Sequence, residues 1–133
     1  MVQDNTIRIL IVDDEPGIRK LLAMAFRRDG YNVTLAADGL EASTICESES
    51  FDLLLSDVRM PGMNGHELVR LVATRRPEMR TILMSGFDEL QCQKCGVPVK
   101  ACSLLQKPFL PKEAVALVKR VLESAPTHSD LVS

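Results

Sequence analysis

Ile7-Arg8-Ile9-Leu10-Ile11-Val12-Asp13-Asp14 is the stretch whose reading decides the fold. It is short, almost continuously apolar and rich in β-branched residues, and it ends abruptly in two carboxylates. A run that is apolar at nearly every position, instead of at alternate ones, reads as a strand covered on both faces, as in a parallel sheet. In an open α/β sheet the crevice beyond the carboxyl ends of the strands is where ligands bind. Two further runs end the same way. Phe51-Asp52-Leu53-Leu54-Leu55-Ser56 leads into Asp57, and Cys102-Ser103-Leu104-Leu105-Gln106 leads into Lys107. Asp13, Asp14, Asp57 and Lys107 are therefore expected at one sheet edge. Carboxylates gathered there repel one another unless a cation joins them. Oxygen donors favour a hard ion such as Mg²⁺, which points to phosphate chemistry.

Strand and helix signals alternate outward from this stretch. The first strand is Ile7 to Val12, and a helix is expected from about Asp14, with Glu15 and Pro16 in its first turn and Gly30 as its stop. Asn32 to Ala36 reads as the second strand and Asp38 to Glu47 as the second helix. The third strand is Phe51 to Ser56. A turn follows from Asp57 to Gly65, holding Pro61 and Gly62. Asn64 and Glu67 have capping-box spacing ahead of a third helix that must end before Pro77. Arg80 to Met84 is the fourth strand, Phe87 to Lys94 a short or irregular fourth helix, and Ala101 to Leu105 the fifth strand. Pro111 to Glu123 carries an apolar stripe and reads as the last helix. Five strands alternating with helices imply an α/β, doubly wound, five-stranded parallel sheet. In the order 2-1-3-4-5 the crevice opens between the first and third strands, the two that Asp13, Asp14 and Asp57 terminate.

The chain's 133 residues suit one domain. Residues 1–5 read as a lead, 6–124 as the folded unit and 125–133 as a tail. The 16 basic residues against 18 acidic ones give a net charge of −2, no electrostatic footprint for nucleic acid. No apolar run approaches the ~20 residues of a membrane span. The first residues lack a basic region before an apolar stretch, so no signal peptide is expected. The four cysteines then read as reduced thiols of a cytoplasmic protein.

Four segments together carry a family resemblance: Val12-Asp13-Asp14-Glu15-Pro16, Ser56-Asp57-Val58-Arg59-Met60-Pro61-Gly62-Met63-Asn64-Gly65, Met84-Ser85-Gly86 and Gln106-Lys107-Pro108-Phe109. In this order and at these strand ends, the chain resembles the receiver domain of two-component response regulators, which have a flavodoxin-like fold similar to chemotaxis regulators. The resemblance implies Asp57 as phosphoacceptor, taking a phosphoryl group from a histidine kinase or phosphotransfer domain. It implies Mg²⁺ held by Asp13, Asp14, Asp57 and the backbone carbonyl of Arg59. Lys107 would pair with phosphoryl oxygens, and Ser85 would donate its hydroxyl to them after transfer. A cis peptide before Pro108 is implied as well. The expected activity is self-phosphorylation and self-dephosphorylation, followed by a change of conformation, with no separate metabolite as substrate. With no output domain in sequence, direct DNA binding is not expected, and the expected state is a monomer or weak dimer.

Simpler roles exist for each residue. Asp14 can cap a helix, Lys107 can be a solvated lysine and Ser85 a turn residue. The chain also departs from the family pattern. Leu104 stands three residues before the lysine, where the family usually has Tyr or Phe, so no ring with a phenolic hydroxyl is available to switch there. Few apolar residues hold the segment Phe87 to Pro98. Within it, Cys92 and Cys95 form a Cys-x-x-Cys pair, open to inert, redox or zinc-binding readings. Two other functions compete: a Mg²⁺-dependent α/β phosphohydrolase and a thiol-based sensor using Cys92 and Cys95. The first lacks the second aspartate two residues after its nucleophile, since Asp13 is followed by Asp14 and Glu15.

Overall fold

The computed structural model describes residues 6–60, 62–85 and 103–123. In chain order these residues form β1 (Arg8–Val12), α1 (Pro16–Arg28), β2 (Asn32–Ala36), α2 (Gly39–Ser48), β3 (Leu53–Asp57), α3 (Gly65–Arg75), β4 (Arg80–Ser85), β5 (Ser103–Gln106) and α4 (Pro111–Glu123). The five strands form one sheet in the order β2-β1-β3-β4-β5, and every pairing is parallel. This is the expected doubly wound α/β sheet. The expected helix between Phe87 and Lys94, the Cys92/Cys95 pair and the tail from Ala125 lie outside the described residues.

Strand alternation divides the core into two layers. Leu10 and Val12 of β1, Leu54 of β3 and Leu83 of β4 pack with Ala42 and Cys46 of α2 and with Leu68, Val69 and Val72 of α3. Their neighbours Ile9, Ile11, Leu53, Leu55, Ile82 and Met84 face the other way, against Leu22, Ala23 and Phe26 of α1 and Ala114 and Val118 of α4. Both faces are covered, which is why the strands read as unbroken apolar runs. Each fully buried Val, Leu, Ile, Phe or Met side chain contributes about 1.5–3 kcal/mol by leaving water.

Local chemistry sets the element ends. The Glu15 N–H donates to Asp13 Oδ1 at 2.9 Å. That turn delays α1 until Pro16, two residues later than the sequence suggests, and Pro at the first helical position has no N–H to leave unpaired. Gly30, with φ 94°, turns the chain after α1. Asp38 caps α2 by accepting from the Glu41 N–H at 2.8 Å. The capping box of α3 is present: Asn64 Oδ1 accepts from the Glu67 N–H at 2.9 Å, and Glu67 Oε1 accepts from the Asn64 N–H at 3.1 Å. β3 begins at Leu53 instead of Phe51 and β4 runs one residue further than expected, to Ser85.

Candidate functional site

Strand register builds the site. Val12 of β1 lies opposite Ser56 of β3, so the next residues, Asp13 and Asp57, stand level at the sheet edge. Asp57 lies opposite Met84 of β4, and Ser85 pairs with Gln106 of β5. The Lys107 N–H donates to the Ser85 carbonyl at 2.8 Å, which carries the sheet bonding one residue past β5 and fixes where the lysine leaves the strand. The Lys107–Pro108 peptide is cis.

Asp13, Asp14 and Asp57 each present a carboxylate oxygen, all within 4.8 Å of one another. Asp13 is fully buried and Asp57 is 6% exposed, whereas Asp14 faces solvent. Lys107 Nζ lies 3.1 Å from Asp57 Oδ1 and 3.5 Å from Asp13 Oδ2. Its side chain is only 23% exposed, so it is no solvated surface lysine. Ser85 is buried, and its hydroxyl has no hydrogen-bond partner among the described residues. Arg59 sits two residues past Asp57 in the exposed turn before α3. The structure thus gathers Asp13, Asp14, Asp57 and Lys107, and places Ser85 at the adjacent strand end.

Two positions that support this edge were not singled out from the sequence. Arg19 of α1 donates a guanidinium N–H to the Asp13 carbonyl, tying the helix to the turn that carries the acids. Its place one turn into an amphipathic helix gave no signal. Gly65 lies where α3 meets the end of β3. A Cβ there would collide with the Asp57 carbonyl oxygen and sit 2.9 Å from Val58 Cα. The sequence marked Gly65 as a turn residue, not as a backbone-to-backbone contact.

The electrostatics are those of a site short of positive charge. Burial pushes the Asp13 carboxyl above its ordinary range; the bond from Glu15 and the charge of Lys107 oppose this, while Asp57 and Asp14 add to it. Burial likewise raises Asp57, against the hydrogen bond and charge of Lys107. Burial disfavours the Lys107 cation, yet its bond to Asp57 and the charges of Asp13 and Asp57 leave it raised. Asp13 Oδ2 is buried and makes no hydrogen bond among the described residues, with Lys107 Nζ 3.5 Å away. Three carboxylate oxygens within 4.8 Å of one another, with a single lysine beside them, fit a hard divalent cation.

A pH dependence follows. Raised carboxyl values mean that the folded protein keeps protons the unfolded chain has released. The cost of ionising Asp13 and Asp57 is absent below the ordinary carboxylate value of 3.8 and complete above their raised folded values. Lys107 has the opposite sign: its contribution is present below the ordinary lysine value and lost as pH rises through its raised one. Asp13→Asn keeps the Oδ1 acceptor for Glu15 and removes a buried charge. At pH 7 in chelator it should melt above wild type, each kcal/mol relieved raising the midpoint by roughly 3–5 °C. The gain should vanish near about pH 3, where the wild-type carboxyls are protonated. Thermal melts of both proteins at the two pH values check this.

Comparison with known proteins agrees with the geometry. The family model of the response regulator receiver domain matches residues 9–119. Sporulation initiation phosphotransferase F of Bacillus subtilis is 37% identical over 115 residues, which cover 86% of this chain and 93% of that protein. The alkaline phosphatase synthesis transcriptional regulatory protein PhoP of the same organism is 35% identical over 115 residues, but the match spans 48% of its length. Among solved structures, the chemotaxis response regulator CheY4 of Vibrio cholerae aligns with a TM-score of 0.80 at 31% identity, covering 88% of this chain and 99% of that one. The response regulator TrrA of Thermotoga maritima, solved in complex with Mg²⁺ and BeF, aligns with a TM-score of 0.77 at 30% identity over 87% of this chain and 99% of its own. Neither the phosphohydrolase nor the thiol-sensor reading finds support in these relatives. No described helix is long and apolar enough to cross a membrane. With a strand order, an acidic cluster and a family model in agreement, the chain belongs to the response regulator receiver domains of two-component signalling.

Proposed function

We propose that residues 6–124 act as a phosphoacceptor unit in which Asp57 takes the phosphoryl group. The observation that carries this reading is Lys107 Nζ, 3.1 Å from Asp57 Oδ1 and 3.5 Å from the buried Asp13 Oδ2. An ionised Asp57 oxygen attacks phosphorus of a phosphohistidine, or of a small donor such as acetyl phosphate. The bond from phosphorus to the donor's nitrogen or oxygen breaks, the donor leaves with that electron pair, and the product is an acyl phosphate on Asp57. An anion attacking an anionic centre needs positive charge held in place. Lys107 supplies part of it and orients the phosphoryl oxygens. Asp13, Asp14, Asp57 and the Arg59 carbonyl would hold Mg²⁺, which neutralises further charge when bound. Ser85, whose buried hydroxyl has no hydrogen-bond partner among the described residues, suits the new acceptor oxygens.

The donor is a histidine kinase or phosphotransfer domain. An apolar groove of about 230 Å³, lined by Ile18, Leu21, Leu22, Pro108 and Phe109, opens beside Lys107. Leu21 is 56% exposed on it. A protein surface fits such a face better than a small polar metabolite. On this reading the unit is a switch that modifies itself, working in the cytoplasm. Leu104, 46% exposed on β5, repacks without exchanging a hydrogen-bond partner, so the response is carried elsewhere than by a ring flip.

Wild-type protein treated with acetyl phosphate and Mg²⁺ should gain the mass of one phosphoryl group, and chelator should prevent the gain. An unchanged mass in Mg²⁺ would overturn the reading. Lys107→Ala removes one charge-assisted bond of roughly 1.5–3 kcal/mol. Phosphorylation should slow by about 10- to 100-fold, with a cooperative melt retained. Loss of the thermal transition would make Lys107 a structural residue instead.

A further inference from the structure

The turn that carries Arg59 is held from two sides. On one side Gly65 abuts the end of β3. On the other stands Gly39, the first residue of α2. A Cβ on Gly39 would collide with the Met63 carbonyl oxygen and lie 2.9 Å from Met63 Cβ. The next residue, Leu40, is 59% exposed, yet its Cδ1 lies 3.6 Å from where a Cβ of Gly62 would stand. Gly62 has φ 77°, so the chain turns there in a conformation that other residues avoid. Leu40 therefore covers the sharpest bend of the turn.

The first turn of α2 is a stiff platform. Asp38 accepts from the Glu41 N–H at 2.8 Å, and the Glu41 side chain accepts from the Ala37 N–H at 2.6 Å. These reciprocal bonds fix the backbone on both sides of Gly39. Met60 and Met63 are half-buried against the layer that includes Ala42 and Cys46 of α2. The contact is thus backbone against backbone, with side chains closing over it. A shift of α2 by a few tenths of an ångström passes directly into the turn, since no soft side chain lies between them.

We propose that Gly39 and Leu40 are positioning residues for the phosphoacceptor turn: they hold Gly62 and Met63 in place, and with them the Arg59 carbonyl. This rests on the reading of that carbonyl as a metal ligand. A role confined to stability predicts something different. It lowers the melting midpoint but leaves the Mg²⁺ affinity of the folded protein alone.

The test uses the full chain as wild type, Gly39→Ala, Leu40→Ala and Gly17→Ala. Gly17 also lies at a helix start, but nothing stands within 4 Å of a Cβ there, so it serves as control. Backbone NMR shifts and amide exchange are measured without metal, followed by a Mg²⁺ titration of each folded protein. Gly39→Ala should move the amides of residues 58–60 and 62–64 and weaken Mg²⁺ binding about tenfold, the low end for losing a group that orients a metal ligand. Leu40→Ala should speed exchange at residues 62–64 and weaken binding roughly threefold, below that range because only a covering side chain is lost. Gly17→Ala should match wild type in both. Unchanged amides at 58–60 and 62–64, with Mg²⁺ affinity within twofold of wild type in both variants, would overturn the proposal. If Gly39→Ala fails to fold, Leu40→Ala decides alone, since its side chain is exposed. A wild type that binds no Mg²⁺ would remove the ligand role of Arg59, and the metal-free amides would still decide whether α2 positions the turn.

Discussion

Asp57→Asn should take up no phosphoryl group from acetyl phosphate under conditions in which wild type is modified. The substitution keeps the shape of a nearly buried side chain and removes its charge. The neutral amide is a poor nucleophile, so the loss should be complete, unlike the graded effect of Lys107→Ala. Asp13 is also buried and close by, yet it should not substitute. Its Oδ1 is engaged by the Glu15 N–H, and its side chain is fully buried. Intact-mass analysis of treated Asp57→Asn gives the answer. A retained phosphoryl mass would place the acceptor on another residue. The same variant relieves a buried charge, so it should melt at or above wild type in chelator, which separates lost chemistry from lost folding.

Among the described glycines, Gly65→Ala should be the most damaging single methyl that can be added near the site. The new Cβ meets the Asp57 carbonyl oxygen, Val58 Cα at 2.9 Å and Leu83 Cδ2 at 3.0 Å. Two of these are backbone atoms of Asp57 and Val58, and the Gly65 N–H is already committed to the Val58 carbonyl at 2.9 Å. Relief therefore requires moving β3 against α3. Overpacking of this kind costs about 1–3 kcal/mol, and a rigid backbone neighbour puts the effect at the upper end. The midpoint should fall by roughly 10 °C. Gly17→Ala should instead hold or gain slightly, because Ala is a better helix former than Gly by about 1 kcal/mol. Parallel thermal melts compare the two. A Gly65→Ala midpoint equal to wild type would show that β3 and α3 do not meet as tightly as described.

The fold was legible because its sheet is covered on both faces. Leu10, Leu54 and Leu83 face one layer while Ile9, Leu55 and Ile82 face the other, so each strand announced itself as an unbroken apolar run. The carboxylates at the ends of β1 and β3 and the lysine beyond β5 were legible for a related reason. A charge directly after a buried run has few structural excuses. Caps were readable where a side chain repeats a known spacing, as Asn64 and Glu67 do.

What stayed hidden depends on contacts that cross the chain. Nothing in the local sequence of Gly39 says that a carbonyl from Met63 will lie against it, and Gly65 reads equally well as an ordinary turn residue. Lys107 was legible at the acidic edge, but its side-chain exposure of only 23% was not, since that depends on how closely two carboxylates pack beside it. Helix starts shifted by one or two residues for a similar reason. Asp13 spends a side-chain oxygen on Glu15, and the turn this makes delays α1. Tertiary partners, not propensity, set these points.

The central claim is that the edge formed by Asp13, Asp14, Asp57, Ser85 and Lys107 is one site for a divalent cation and a phosphoryl group together. A backbone NMR titration of wild type with beryllofluoride, a phosphoryl mimic, with and without Mg²⁺, tests it most directly. The account predicts that the amides of Asp57, Ser85 and Lys107 shift together, and only when both components are present. Shifts that need no Mg²⁺, or that leave Ser85 and Lys107 unmoved, would contradict it.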